Sequence, residues 1–334
     1  MKKPVVGITI GDPAGIGPEI VIKALLDIDV KEQLCPVVIG SARVLESESA
    51  RLQSDVTINK IQYPWQGRFD RGYINIIDID NVDLKSLCLG KMQPDVGMAA
   101  LEYLEKSFDM AKEGKIGSVA TAPVNKQAVN AASKGFVGHT EKLAEMTKTE
   151  PLTMFEVRNL RVFFLSRHVS LKKACELVTF ENVLNCIQHC DKALQSLGLK
   201  KRSIAVSGLN PHNGDNGMFG DEEIKEIQPA VERARSQGID AEGPISADSV
   251  FFLALQGKYD AVIALYHDAG HIATKMVDFN RSISITIGLP FIRTSVNHGT
   301  AYDIAGQGIA SAVSMKEAIL AAAGYSTMYK GFGN

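Results

Sequence analysis

The chain has 334 residues, 45% hydrophobic and 22% charged, with a formal net charge of -2, which is ample material for a large core in one big domain or two lobes. Its lysines and arginines are scattered rather than gathered into a stripe, so a nucleic-acid partner has no electrostatic footprint and small-molecule partners are expected. No stretch approaches the ~20 apolar residues of a membrane span, and the first apolar run meets Asp12 and Pro13 too early for a secretory h-region; a cytoplasmic protein without a membrane partner is expected.

Short apolar runs ending in Gly, Pro, Asn or His alternate with longer helix-like stretches, the pattern of an α/β protein with a mostly parallel sheet. In chain order, strands are predicted over residues 5–10, 36–39, 73–77, 118–121, 153–157, 161–165, 203–207, 261–265 and 282–287. Helices are predicted over 18–26, 94–113, 140–146, 180–197, 221–237, 247–255 and 314–323. Pro18 suits a first helical turn, with its fixed φ and missing donor. The polar stretch from about 54 to 89 holds the single Trp and reads as a peripheral excursion. Two lobes with a cleft between them are the simplest architecture.

Five cysteines without an export signal argue against a disulfide framework. Cys186, His189 and Cys190 suggest a zinc motif, but Val183, Ile187, Cys190 and Leu194 fall at helical spacing, so the segment reads as a core helix.

In open α/β sheets ligands bind beyond the carboxyl ends of the strands. His168 ends VFFLSRH, His212 follows IAVSGLNPH and His267 ends AVIALYH. Three neutral imidazoles with one open position make a catalytic metal site, although a strand-end histidine taken singly is more often a hydrogen-bonded structural residue. Asp268 either orients a ligand or caps the next helix.

The turn GDPAGIGPE offers donors at a helix start or is simply a tight strand-to-helix turn. It is neither a Walker A motif nor GxGxxG. In GHTE, Thr140 is an N-cap or a phosphate contact beside His139. Lys275, and Arg293 at a bend after GLP, suit anion capture. The run from 297 to 311 packs small and turn-forming residues around Asp303, as a nucleotide loop or a compact loop without ligand would.

Together GDPAGIGPE, TAPVNK, GHTE, SRHVSL, LNPHNGDNGMFGDEE, YHDAG and GLPFIRTSVNHGTA resemble the 4-hydroxythreonine-4-phosphate dehydrogenase family, PdxA, over nearly the whole chain. HGTAYDIAGQGIA is also similar to the cofactor loop of isocitrate and isopropylmalate dehydrogenases. The resemblance implies their two-lobed α/β fold with the active site in the inter-lobe cleft. One lobe would hold residues 1–125 and 300–334, and the other, 126–299, the metal ligands and dimer interface. It further implies NAD as cofactor, with His298, Gly299, Thr300 and Asp303 flanking it. His168, His212 and His267 would bind one divalent metal, with zinc, cobalt, manganese, nickel and magnesium all left open. His139, Thr140, Lys275, Ser284 and Arg293 would contact the phosphorylated substrate. The family is a homodimer with shared sites, and His267 would serve the partner's metal.

Three residues depart from the biosynthetic pattern: Ser284 in place of Asn, His271 in place of an apolar residue and Asn125 in place of His. Exchanging an amide for a hydroxyl changes the hydrogen-bond inventory at the substrate. The pattern looks more like the branch that oxidises 4-phospho-D-threonate or 4-phospho-D-erythronate. The expected chemistry is hydride transfer from C3 to NAD, with Lys275 as proton acceptor, followed by decarboxylation to dihydroxyacetone phosphate. The alternative is the 4-hydroxy-L-threonine 4-phosphate activity of pyridoxal phosphate synthesis. Less favoured are a phosphate acyltransferase and a non-catalytic phospho-sugar-acid binder.

Overall fold

Buried, β-branched VVGIT opens the computed structural model, which describes residues 3–133, 135–136 and 138–332. The elements run β1 (Val5–Thr9), α1 (Gly17–Leu26), α2 (Ile28–Gln33), β2 (Cys35–Gly40), α3 (Ala42–Arg51), β3 (Thr57–Ile61), β4 (Tyr73–Asp78), α4 (Pro94–Lys112), β5 (Ser118–Thr121), α5 (Lys126–Ala132) and α6 (His139–Thr147). Next come β6 (Leu152–Val157), β7 (Leu160–Phe164), α7 (Leu171–Glu176), α8 (Phe180–Ser196), β8 (Ile204–Ser207), α9 (Gln228–Ser236), β9 (Ala241–Ile245), α10 (Val250–Leu255), β10 (Ala261–Ala264) and α11 (His267–Val277). The chain closes with β11 (Ile283–Ile287), β12 (Ile292–Val296) and α12 (Val313–Ser326).

Two units divide the chain: one reaches Pro151 and resumes with Thr286–Gly331, the other is Leu152–Ile285. In the first, the strand order is β3-β4-β2-β1-β5-β12, every pair parallel. Strands buried on both faces read as near-continuous apolar runs, and VVIG of β2 and SVAT of β5 are of that kind. Residues 126–151 and 286–299, expected in the second lobe, fall in the first unit. For the first stretch the reason is close packing of α5 on α4, where a Cβ at Gly97 would meet the Ala128 carbonyl carbon at 2.4 Å.

In the second unit the order is β6-β7-β10-β8-β9, antiparallel only between β6 and β7. Helix α8 buries Val183, Ile187, Cys190 and Leu194, as expected of a core helix. Burial pushes the Cys186 thiol up to about 12 and the Cys190 thiol well above its ordinary value, so neither is poised as a thiolate ligand.

Sequence periodicity misses three strands. β3 and β9 are edge strands, and Pro244 within β9 costs no ladder bond on an open side. β12 matters more: Arg293 stands not at a bend but within a buried strand, in register with Val119 of β5. Among the described residues no helix is long and apolar enough to cross a membrane.

Candidate functional site

β7, β10 and β8 are adjacent and parallel, so the segments leaving their carboxyl ends emerge along one edge of the second unit. His168 follows β7, His212 follows β8, and His267 is the first residue of α11 after β10. The His168 and His267 ring centroids are 6.1 Å apart. With metal–nitrogen bonds of ~2.1 Å, two imidazoles at a tetrahedral angle on one ion have centroids roughly 5.3 Å apart, so this pair is wider than a shared tetrahedral ion asks. His267 Nδ1 lies 2.6 Å from Asp268 Oδ1, so Nε2 is the ring nitrogen that Asp268 does not engage. That contact engages Asp268 with the neighbouring imidazole. Among the described residues, however, no group of three or more His, Cys, Asp or Glu side chains gathers into a metal cluster, and no ring contact joins His212 to the other two.

One turn beyond His267, the His271 ring lies 4.1 Å from it and is packed between Phe164 and Phe155. Burial, then the charges of His267 and Lys275, lowers its pKa to about 4, which keeps it neutral. Lys275, a further turn along α11, holds its ammonium 5.4 Å above the Phe279 ring. α11 lies close on β7 because Gly270 has no side chain; a Cβ there would meet Phe164 at 2.4 Å.

His212 sits in an unusual backbone. From His212 to Asn216, five successive residues adopt left-handed φ/ψ, and four of them are not glycine. Each L-residue in that conformation costs about 1–2 kcal/mol, less for Asn and Asp, so the surroundings must hold it. Asn213 donates to Pro244 O at 3.1 Å. The buried Glu223 carboxylate accepts from the backbone N–H of Leu209 at 2.7 Å and of Asn210 at 2.6 Å, and from Asn210 Nδ2 at 2.9 Å.

In the first unit, Arg293 is 4% exposed. Its Nε and Nη2 donate to Thr121 Oγ1 at 3.0 and 2.5 Å and its Nη1 to Thr286 Oγ1 at 3.3 Å; among the described residues no carboxylate stands within ion-pair distance. Burial pulls its pKa down to about 9, opposed by Glu141. His139 Nε2 is buried without a hydrogen-bond partner, and burial, then the charges of Arg293 and Lys126, depresses its pKa. The N-cap of α6 is Gly138 rather than Thr140, with no side-chain cap bond. The first-turn amides of α6 therefore lack a side-chain acceptor, the usual setting for an anion. Ser284 lies half-buried on β11. Asn125 spends its side-chain oxygen capping α5 through Ala128 N, at 3.0 Å.

The GDPAGIGPE turn is braced rather than open. Ala14 N donates to Asp12 Oδ1, Gly15 N to Asp12 O, and Ile16 N to Thr300 O, so these amides are not free for phosphate. Buried Glu19 accepts from Ala310 N, and Lys23 donates to Gly308 O and Ala310 O. The turn thus shapes the 297–311 loop, in which Thr300 is buried, His298 is partly exposed, and Gly299 and Asp303 face outward.

The family model described as "Pyridoxal phosphate biosynthetic protein PdxA" matches residues 32–322. The chain belongs to the PdxA family. It is 54% identical over 330 residues to a Clostridium botulinum (strain Hall) protein named "Putative D-threonate 4-phosphate dehydrogenase", covering 98% of this chain and 99% of that one. It is 52% identical to a Halalkalibacterium halodurans protein of the same name, covering 97% and 98%. The crystal structure of 4-hydroxythreonine-4-phosphate dehydrogenase from Klebsiella pneumoniae superposes with a TM-score of 0.88 at 38% identity, over 97% of this chain and all of that one.

For this PdxA chain, periodicity gives no hint of Glu223, Thr121 or the Asp12–Tyr302 pair. Their signal was in motifs already noted: GDEE beside NPHNGDNG, TAPVN after a buried strand, and AYD after HGT.

Proposed function

We propose that the protein is an NAD- and divalent-metal-dependent dehydrogenase that oxidises C3 of 4-phospho-D-threonate or 4-phospho-D-erythronate and releases CO2, forming dihydroxyacetone phosphate. The observation that carries this reading is the buried Arg293 guanidinium, without a carboxylate partner and beside the unpartnered His139 Nε2. Charge buried in this way calls for an anion, and a phosphate monoester supplies the charge and the acceptors. His139, Thr140 and Arg293 hold that phosphate.

His168, His212 and His267 hold the metal, with Asp268 fixing the His267 tautomer. A divalent cation held there would supply Lewis acidity toward the substrate oxygens. Lys275 takes the C3 hydroxyl proton; His298, Gly299, Thr300 and Asp303 would flank NAD, which would supply the hydride acceptor. The β-keto acid then loses CO2. Ser284 reads the C2 substituent, a hydroxyl where the biosynthetic substrate carries an amine.

The protein acts as a homodimer. Support comes from the exposed apolar residues that accompany each histidine: Val169 and Leu171 near His168, Met218 and Phe219 near His212, Ile272 and Met276 near His267. The second reading, oxidation of 4-hydroxy-L-threonine 4-phosphate, draws on the name of the Klebsiella protein.

The test is NADH formation by purified, metal-loaded protein with each of the three phosphorylated substrates. Turnover of a phosphorylated sugar acid at ~10-fold or greater kcat/KM over the amino acid is expected. No NADH from any of them, at any divalent metal tried, would overturn the dehydrogenase reading.

A further inference from the structure

We propose that Glu223 is the positioning residue that sets His212 in place for the metal; this rests on His212 being a metal ligand. Its carboxylate, 2% exposed, lies inside the loop between β8 and α9 and accepts three hydrogen bonds, all from uncharged N–H donors of Leu209 and Asn210. Among the described residues no cation pairs with it within ion-pair distance. These donors immediately precede Pro211 and His212, where the left-handed run begins. The same carboxylate lies against the middle of the run, since a Cβ at Gly214 would stand 3.0 Å from Glu223 Oε2. Glu222 accepts a second bond from Asn210 Nδ2 at 2.7 Å, so Asn210 is clamped by both acidic residues.

A hydrophobic filler would occupy the same space without fixing the backbone. A carboxylate with both oxygens engaged fixes the direction of two successive peptide N–H groups, those of Leu209 and Asn210, and with them the path on which the chain enters Pro211 and His212. Glu223 also begins a π-helical turn, Glu223–Ile227, a local irregularity that recurs at functional sites and here aims the side chain back at the loop. Glu223 touches neither substrate nor cofactor in this arrangement. It acts through His212, as outer-shell partners act on metal ligands.

The experiment titrates metal-stripped protein with Co2+ alone, followed by calorimetry and by the visible spectrum of the bound ion. Wild type, Glu223→Gln and His212→Ala are compared, with inorganic phosphate binding and thermal unfolding of the metal-free proteins as controls for the fold. Glu223→Gln keeps the size but sets an amide NH2 against an N–H donor. It is expected to weaken Co2+ binding by ~10- to 100-fold and to alter the spectrum, with phosphate binding unchanged. A purely structural role would lower the melting temperature and leave the Co2+ affinity and spectrum at wild-type values, and that result overturns the proposal. If His212→Ala also binds Co2+ normally, the ligand assignment fails instead. Should Glu223→Gln not fold, Asn210→Ala removes the side-chain bonds to Glu222 and Glu223 and keeps the carboxylate; the same criteria then apply, with a loss of about 3- to 10-fold expected from the one bond to Glu223.

Discussion

Tyr302 donates its hydroxyl proton to the Asp12 carboxylate over 2.7 Å, tying the cofactor-like loop to the turn after the first strand. Asp12 is fully buried, and burial raises its pKa against the hydrogen bonds from Tyr302 and from the Ala14 and Asn125 backbone. Removing one donor leaves a buried acceptor short of a partner at a cost of about 1–3 kcal/mol. Tyr302→Phe is therefore expected to lower stability by that amount in urea unfolding. It should also raise the KM for NAD several-fold more than the KM for the phosphorylated substrate. Equal effects on both would disconnect the pair from the cofactor loop.

Arg293 points to a trade between stability and function. A buried cation without a counter-charge costs folding free energy, whereas the same cation is what a phosphate needs. Arg293→Met is expected to raise the melting temperature of the ligand-free protein. It should lower kcat/KM by ~30- to 4,000-fold, corresponding to about 2–5 kcal/mol for loss of a buried charge contact. Thermal shift with and without inorganic phosphate reads both: wild type gains stability with phosphate and the variant does not.

His139 gives a pH dependence of definite sign. Its folded pKa is depressed below the ordinary value of 6.5, by burial first and then by Arg293 and Lys126. Below 6.5 the unfolded chain therefore binds a proton that the folded chain does not, so this residue makes stability fall as the pH drops below about 6.5 and leaves it level above. Urea midpoints of ligand-free wild type and His139→Gln are expected to diverge in slope between pH 7 and 5, with wild type the steeper. Bound phosphate, by pairing with the imidazolium, reduces the difference.

How far the sequence carries depends on whether a residue's neighbours are local. The alternation of apolar runs and helices made the α/β class legible, and the short parallel strands β1, β5 and β10 fell where their apolar runs lie. The strand-end placement of His168, His212 and His267 was legible for the same reason. Arg293 was misplaced because GLP suggests a turn, while its strand is specified by partners on β5, distant in sequence. Helix α11 went unseen because its pattern is inverted: Gly270, His271 and Thr274 are buried, while Ile272 and Met276 are exposed. The left-handed turn at His212 is invisible to periodicity, since the residue that holds it stands eleven positions later, at Glu223.

That inverted helix leads to the last prediction. Met276 is 80% exposed and Ile272 62%, on the helix that also carries His267, His271 and Lys275. An apolar face turned to solvent beside the proposed site residues is what an isologous contact with a second copy would cover. Met276→Asp is expected to yield a folded monomer by light scattering, because the side chain supports no interior packing, and to lose most activity if each site needs both chains. Mixing settles the sharing. His168→Ala and His267→Ala are each expected to be inactive, yet a heterodimer of the two places both lesions in one site and leaves the other intact when His267 crosses the interface. Random exchange would then restore about a quarter of wild-type activity, from half the dimers with one working site each. Recovery of nothing on mixing, with exchange verified, would place all three histidines on a single chain's metal.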